Sequence, residues 1–374
     1  MSTLVILARG IQASRLGAYG GSWTVTPHLD NLASQSLVFD RYIRSSSIAE
    51  TWGNWLASGS RPWCWVGEEG GMPAPIDGCK ILPALPEEPG TVVHRMNDLL
   101  EVLESNQNAM VIIELRHAVP PWEPSGDTLK IFFPPESQIQ NPDSEKSAAI
   151  SNISCDLDPI GEFVDPRPWM EPLPCSGDIY NDSDIERMFL THAAAIASMD
   201  HQLGLILDCV GKKQSNCIDI LFTSDAGVAL GAKKIFGHGS NTPWLEMVHL
   251  PLIWCHSTRV VNSLRHPALI TDNDLAALLC KYSDGPESMM DRCWMDPYAL
   301  GAKIIITYGD QHNFAARSKK WSLVCNYSNT PMLFSLPSDY WEVNNMASRE
   351  SGSVEQLIIE SHFLKETQRY GILN

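Results

Sequence analysis

The sequence predicts an α/β fold: a large central, mostly parallel sheet sandwiched by helices, followed by a smaller antiparallel sheet and a terminal helix. Over the first 300 residues, short apolar runs of strand length alternate with helical patterns, an order typical of parallel sheets with helices on both faces. From about residue 300 onward, the apolar runs are short and closely spaced, which indicates antiparallel strands. We therefore expect an α/β domain over residues 1–300 and a C-terminal subdomain over 301–374.

The first third of the chain supplies two predicted strands and three predicted helices. Thr3–Ala8 and Ala109–Leu115 are continuous apolar runs, as expected of strands buried on both faces. Thr26–Ser36 has a proline where a helix would begin, and Val92–Glu104 is amphipathic. Ala49–Ala57 is the third predicted helix, ending before a glycine.

The middle of the chain opens with residues 118–184, which are rich in Pro, Asp and Ser and predict long surface loops. Ile185–Val210 is then predicted to be a long helix with small residues on its packing face. Two further apolar runs, Ile218–Thr223 and Leu250–Trp254, predict core strands, and Asp272–Tyr282 predicts a helix.

The last part of the chain predicts the smaller sheet. Its strands are expected at Lys303–Tyr308, Lys320–Asn326 and Met332–Leu336, and a helix is expected at Val354–Lys365.

Composition excludes several classes of partner. The formal net charge of the 374 residues is −17, which argues against a nucleic-acid surface and against docking on anionic membranes.

The longest apolar runs are only strand-sized, and no secretory signal is visible, so the sequence predicts a cytoplasmic protein. The ten cysteines form no CxxC pair and are expected to be reduced. A secreted or periplasmic protein with disulfides is the alternative if a signal was trimmed.

Five stretches, spread over nearly the whole chain, carry a family resemblance. They are SRLGAYGG…TPHLDNLASQSLVF at 14–39, AAIASMDHQLGLIL at 194–207, FTSDAGVALG at 222–231, GHGSNTPWLEMVHLPLIW at 237–254 and SKKWSLVCNYSNTPMLFSLPSDYWEVNNMA at 318–347. Together, and in this order, they resemble the sulfatase family of the alkaline-phosphatase-like superfamily. The resemblance implies one calcium ion at the C-terminal ends of the sheet strands. It also implies a formylglycine nucleophile made from Cys or Ser, with Arg, Lys and His side chains neutralising the sulfate.

The chain departs from that family where the chemistry should be. The resemblance places Arg9 and Gly10 where the first strand should end in Asp, and Ala49 at the nucleophile. Asp225 remains from the second ligand pair. In the family's nucleophile motif, Thr51 takes the place of the proline and Gly53 the place of the arginine. Ala226 takes the place of the second residue in the ligand pair that includes Asp225, and His238 takes the place of a lysine. In the loop that begins at His117, Val119 takes the place of the family's histidine.

These departures predict a catalytically inactive protein with a binding or scaffolding role. Alanine cannot attack sulfur or become formylglycine. One Asp beside an Arg cannot supply the several oxygens that calcium requires, so we expect no metal and no cofactor. We expect Arg9 to replace the ion and to form a bidentate pair with Asp225. The expected ligand pocket comprises Arg9, Gly10, Glu50, His117, Asp225 and His238, and the expected ligand is a sulfated or otherwise anionic small molecule or glycan.

Two alternatives stay open at this point. The first is an active sulfuric-ester or phosphate-ester hydrolase that uses calcium and a displaced nucleophile, with Ser47 and His238 as candidate catalytic residues. The second is an anion or glycan sensor whose platform is the tryptophan cluster Trp52, Trp55, Trp63 and Trp65. Non-functional interpretations are also open: Glu50 as an exposed helix residue, and His117 as a strand-end histidine bonded by backbone.

Overall fold

The computed structural model describes residues 2–45, 62–67, 80–85, 88–105, 108–133, 167–172, 175–177, 179–212, 218–237, 243–257, 263–280, 301–309, 313–326 and 330–369. Within these residues a nine-stranded mixed sheet is flanked by helices, and a separate four-stranded antiparallel sheet follows toward the C-terminus. The predicted fold class is confirmed.

The strands are, in chain order, β1 (Ser2–Ala8), β2 (Leu37–Ile43), β3 (Trp63–Val66), β4 (Lys80–Leu82), β5 (Met110–Leu115), β6 (Cys175–Ser176), β7 (Ile218–Thr223), β8 (Ala229–Leu230), β9 (Ile235–Gly237), β10 (His249–Leu250), β11 (Leu252–Cys255), β12 (Leu264–Thr271), β13 (Ile304–Tyr308), β14 (Phe314–Ser318), β15 (Trp321–Cys325) and β16 (Met332–Ser335). The helices are α1 (Pro27–Ser34), α2 (Pro89–Ser105), α3 (Gly126–Phe132), α4 (Asp182–Lys212), α5 (Leu245–Val248), α6 (Asp272–Cys280) and α7 (Ser351–Arg369).

The central sheet has the order β10-β2-β11-β7-β1-β5-β3-β4, with β12 also paired to β2. Strands β7, β1, β5, β3 and β4 run parallel to one another, whereas β11 is antiparallel to both β7 and β2. All seven residues of β1 and all six of β5 and of β7 are buried. Helices on both faces remove these three strands from water, which explains their unbroken apolar runs.

The register of the three central strands sets the position of the polar residues that follow them. Ala8 pairs with Leu115, and Leu7 pairs with Thr223. The strands therefore end side by side, and the residues after them meet at one edge of the sheet. In open α/β sheets, this carboxyl edge is where ligands generally bind.

Helix α4 spans 31 residues and packs along the sheet beside α1, α2 and α3. Its side chain Asp200 accepts hydrogen bonds from the backbone N–H groups of His28 and Leu29, at 3.1 and 2.8 Å. These N–H groups belong to the first turn of α1 and have no partner within that helix. Asp200 thus fixes the start of the helix that contains the TPHLD sequence.

One sequence prediction needs correction here, and another is not tested. Residues 118–184 are not loop throughout, because α3 lies within them and begins at Ser125, whose hydroxyl accepts the N–H of Thr128. A side-chain cap of this kind stabilises a helix that a polar stretch would otherwise disfavour. The helix predicted at Ala49–Ala57 lies outside the described residues.

The predicted tryptophan platform for stacking on a sugar is wrong for the two tryptophans that are described. Trp63 and Trp65 both lie on β3 and are only 5% and 2% exposed. Neither face of β3 is open, so neither ring is available to stack on a sugar. Trp52 and Trp55 lie outside the described residues.

The four strands β13–β16 pair in sequential antiparallel order, and α7 contacts β13 and β14. Three of the strands and the helix confirm the predicted elements, whereas β14 was not predicted. The domain boundary at residue 300 stays a prediction. Among the described residues, Cys209, Cys255 and Cys325 are free thiols, and no helix is long and apolar enough to cross a membrane.

Because burial disfavours a proton on the His249 ring, we expect the protein to lose stability in acid. Burial, together with the nearby cations Arg317 and Arg41, lowers its pKa from 6.5 to about 4, and a hydrogen bond to the carbonyl of Asp40 only partly opposes this. Between these two pKa values, His249 is protonated in the unfolded chain but neutral in the folded chain. The free energy of unfolding therefore falls as the pH drops from 6.5 toward 4, by about 3 kcal/mol in total. Urea unfolding across this pH range should show the slope, and His249→Gln should flatten it.

The matched control for this prediction is His94→Gln, because His94 is exposed on α2. It should leave the pH dependence unchanged. An equal flattening by both substitutions would show that His249 is not the responsible group.

Candidate functional site

Arg9 follows β1 directly, and its guanidinium lies between two carboxylates at the carboxyl edge of the sheet. Its Nε donates to Asp225 Oδ2 at 2.5 Å, and its Nη1 donates to Glu114 Oε1 at 2.7 Å. Asp225 comes two residues after β7, and Glu114 is on β5, so the cluster joins three adjacent strands. The backbone N–H of Gly10 completes it with a 3.2 Å bond to Asp225 Oδ1.

The two carboxylates are buried, and the arginine covers them. The side chains of Glu114 and Asp225 are 0% and 3% exposed, whereas that of Arg9 is 22% exposed. Burial by itself would lower the pKa of Arg9, but Asp225 and Glu114 outweigh it and raise the pKa above its usual value. The guanidinium is therefore permanently charged, and solvent meets a cation at this edge.

Two further arginines surround the same carboxylates. Arg116 lies 3.7 Å from Glu114 Oε1 and is 34% exposed. Arg44, just after β2, donates through Nη1 to the backbone carbonyl of Asp225 at 3.1 Å. Burial lowers the pKa of Arg44, although the charges of Asp225 and Asp272 oppose the shift. Besides Arg9, one cation thus lies near the carboxylate of Glu114 and another binds the backbone of Asp225.

The backbone at Gly10 is held tightly from the opposite side. Gly10 has a φ of +82°, and a Cβ at this position would overlap the carbonyl oxygen of Ala118. That carbonyl accepts the indole N–H of the fully buried Trp122 at 3.1 Å. His192 of α4 donates through Nε2 to the carbonyl of Gly10 at 3.4 Å. Only glycine meets both the positive φ and the close approach.

The predicted ion pair between Arg9 and Asp225 is confirmed, but its predicted bidentate form is wrong. Arg9 gives one hydrogen bond to Asp225 and another to Glu114. The second oxygen of Asp225 is taken by the N–H of Gly10, which leaves no room for a two-bond fork between the same pair.

His117 does not join this cluster. It lines a separate cleft of about 500 Å³ between α1, α3 and α4, together with His28, Ser198 and His201. Its Nδ1 has no hydrogen-bond partner in the described part of the chain, so the expectation of backbone bonding is wrong for this nitrogen. Burial lowers the pKa of His117, partly opposed by Glu123, so the ring is neutral at pH 7.

The remaining predicted site residues lie outside the described residues: Ser47, Ala49, Glu50 and His238. Their predicted roles stay predictions.

Sequence reasoning missed Glu114, Arg44 and Arg116. Glu114 left a signal, because it is the one charged residue in the apolar run AMVIIEL, and a charge in a strand buried on both faces requires a partner. Arg44 and Arg116 left a weaker one, since each follows a strand end. Their contacts depend on register between strands that are distant in sequence.

Among the described residues, the donor set at this edge does not fit calcium. Calcium takes about six to eight oxygen ligands, whereas Glu114 and Asp225 are both hydrogen-bonded to Arg9. Across the described ranges, no group of three His, Cys, Asp or Glu side chains is arranged to hold a metal ion. A guanidinium between the carboxylates neutralises them without an ion.

Comparison with solved structures finds proteins with a similar fold. One similar structure is a protein in complex with its substrate, D-glucosamine-2-N,6-O-disulfate, with a TM-score of 0.68 and 14% identity over 98% of this chain and 97% of that chain. Another is a phosphonate monoester hydrolase of Agrobacterium radiobacter, with a TM-score of 0.65 and 13% identity over 98% and 95%. A third is a 2-O GAG sulfatase, with a TM-score of 0.64 and 12% identity over 100% and 94%.

A scan against protein-family models finds no match, and a search of curated proteins finds none either. At such low identities, the structural likeness establishes the fold alone. The chain has the fold of sulfatases and phosphonate monoester hydrolases over almost its full length.

Proposed function

We propose that this sulfatase-fold chain is a binding protein without ester-hydrolase activity, and that the Arg9 cluster at the carboxyl edge of the sheet binds a sulfated or otherwise anionic small molecule or glycan. The observation that carries this proposal is the guanidinium of Arg9, which lies between Asp225 and Glu114. It provides fixed positive charge where the family resemblance implies a calcium ion.

Both this geometry and the sequence disfavour hydrolysis. The resemblance puts Ala49 at the nucleophile position, and alanine has no group that can attack sulfur or phosphorus. A Lewis acid at this edge would need the oxygens that Arg9 already occupies. Both losses affect the same reaction, so among the described residues this edge keeps a cation without a nucleophile beside it.

The groups that this site exposes to solvent favour an anionic ligand. The three arginines Arg9, Arg44 and Arg116 are partly exposed, whereas the carboxylates of Glu114 and Asp225 are buried. Within the described residues, Nη2 of Arg9 has no hydrogen-bond partner and remains a donor. Since the chain carries a net charge of −17, an anion is attracted by this local group rather than by the overall field.

A sulfated sugar is the first ligand to test, because two of the similar structures concern sulfated sugars: one was solved with a disulfated glucosamine, and another is a GAG sulfatase. Calorimetric titration with glucosamine 6-sulfate should show saturable binding, and unsulfated glucosamine should not bind. Arg9→Lys keeps the charge but loses the planar donor fork, so affinity should fall by about tenfold or more. Arg116→Gln should weaken binding in the same direction.

The matched control is Lys303→Gln, which removes a cation that is 81% exposed and lies just before β13 of the other sheet. It should leave the affinity unchanged. Equal affinity in wild type and Arg9→Lys would contradict the proposed site, and the absence of any binding would leave a scaffold.

Turnover decides between this proposal and an active hydrolase. With 4-nitrophenyl sulfate and 4-nitrophenyl phosphate, we expect no release of nitrophenol above background, with or without added calcium. Calcium-dependent release that disappears in Ser47→Ala would overturn the proposal and establish a displaced nucleophile.

A further inference from the structure

A second cavity lies where the central sheet meets the C-terminal sheet, away from the Arg9 cluster. Its volume is about 290 Å³, close to the lower end of the roughly 300–1,000 Å³ typical of small-molecule sites. Its walls are mostly apolar and come from both sheets: Ile43, Leu245, Pro267, Leu269, Leu336 and Pro337. Pro267 and Pro337 are exposed, so they flank the opening.

Arg317 of β14 also lines this cavity, although its side chain is only 1% exposed. Nη2 donates to the carbonyl of Pro243 at 2.6 Å and to Glu342 Oε1 at 3.2 Å. Nε and Nη1 are buried and have no hydrogen-bond partner in the described part of the chain. A buried donor without a partner destabilises the folded chain, so these N–H groups favour an acceptor brought by a ligand.

Glu342 does not meet this need, because its carboxylate already serves several donors. Oε1 accepts from Ser322 at 2.6 Å as well as from Arg317, and Oε2 accepts the N–H of Leu245 at 2.9 Å. The carboxylate therefore neutralises the charge of Arg317 from one side only. Burial lowers the pKa of Arg317, and Glu342 opposes that shift only in part.

The other polar groups around the cavity favour an anion. Arg41 lines it as a second cation, and the charge of the remaining acid, Asp40, is offset by Arg265 at 2.5 Å. His249 donates through Nε2 to the Asp40 carbonyl at 2.9 Å, so its Nδ1 accepts the hydroxyl of Tyr340 at 3.2 Å and the ring is neutral. Burial is the main cause that lowers the pKa of His249, and the charges of Arg317 and Arg41 lower it further.

We propose that this cavity binds a small organic anion with an apolar body, for which a ring- or chain-bearing carboxylate is the simplest example. The apolar body would contact the aliphatic walls, and the carboxylate would accept from Arg317. This site is independent of the proposed function of the Arg9 cluster, with which its lining shares no residue. A ligand there would contact both sheets at once.

The test uses the full chain and three probes: benzoate, cyclohexanecarboxylate and hexanoate. Calorimetric titration should show saturable binding of at least one of them. The matching neutral amide should bind about tenfold more weakly or worse, because it lacks the charge that pairs with the guanidinium. The absence of binding by all three carboxylates, or equal binding of acid and amide, would overturn the proposal.

Two cavity-filling variants locate the binding. Ile43→Phe and Leu336→Phe each add volume inside the cavity and should reduce carboxylate affinity by about tenfold or more. Ile304→Phe, on β13 and outside the lining, is the matched control and should bind as wild type does. Arg317→Lys retains the charge next to Glu342 but removes the orphan donors, and should also weaken binding. Wild-type affinity in both filled variants would place the ligand elsewhere.

Discussion

Replacement of Arg9 by aspartate is expected to make the stability of the fold depend on an added divalent cation. The substitution removes the guanidinium from two buried carboxylates and adds a third carboxylate beside them. Removing one partner of a buried ion pair costs about 3–5 kcal/mol, and repulsion among the three negative charges adds to it. A hard cation with oxygen ligands would relieve both costs.

Urea unfolding in chelator and in millimolar calcium measures this effect. The variant should unfold at much lower urea in chelator, and calcium at about 100 times its dissociation constant should restore about 2.7 kcal/mol. Wild type should unfold at the same urea concentration in both conditions.

Arg9→Asn is the matched control, since it also removes the cation but adds no carboxylate. It should be destabilised without rescue by calcium. Stability of Arg9→Asp that ignores calcium altogether would show that these carboxylates do not form a cation site even when Arg9 is gone.

Gly10→Ala is expected to disrupt the same cluster from the backbone side. A Cβ at Gly10 would overlap the carbonyl of Ala118, which is backbone and cannot rotate away. The positive φ adds about 1–2 kcal/mol of strain for alanine, and the overlap adds about 1–3 kcal/mol. Because the N–H of Gly10 also holds Asp225, a shift of this backbone separates Asp225 from Arg9.

The matched control is Gly20→Ala. Gly20 has a φ of +87°, but a Cβ there would meet no atom within 4 Å. Its substitution should cost only the conformational strain. The free energy of unfolding, measured in urea, should therefore be clearly lower for Gly10→Ala than for Gly20→Ala. Titration with glucosamine 6-sulfate should show weaker binding for Gly10→Ala only. Equal destabilisation by the two substitutions would mean that Ala118 yields to the added methyl group.

Much of the fold could be predicted because its strands and helices have strong local patterns. β1 was predicted at Thr3–Ala8 and runs from Ser2 to Ala8, and the predicted helix Ile185–Val210 lies inside α4. The pair between Arg9 and Asp225 could also be predicted, because both residues follow parallel strands that end at one edge.

Other features had no local signal. Strand β14 has the sequence FAARS, in which two alanines and an arginine give little indication of a strand. It forms because its neighbours β13 and β15 pair with it on both sides. Similarly, the tryptophans of β3 appeared available from composition, yet every residue of that strand is buried. Which faces are covered is decided by tertiary packing, which a pattern along the chain does not record.

The salt bridge of Arg9 has a consequence for how this edge of the sheet is assembled. A bound ion obeys mass action: it dissociates on dilution, competes with other ions and must be supplied by the surroundings. The cation here is attached covalently to the residue after β1, so every folded molecule carries it at full occupancy. The edge is complete as soon as β1, β5 and β7 align, whatever the ionic composition of the solution.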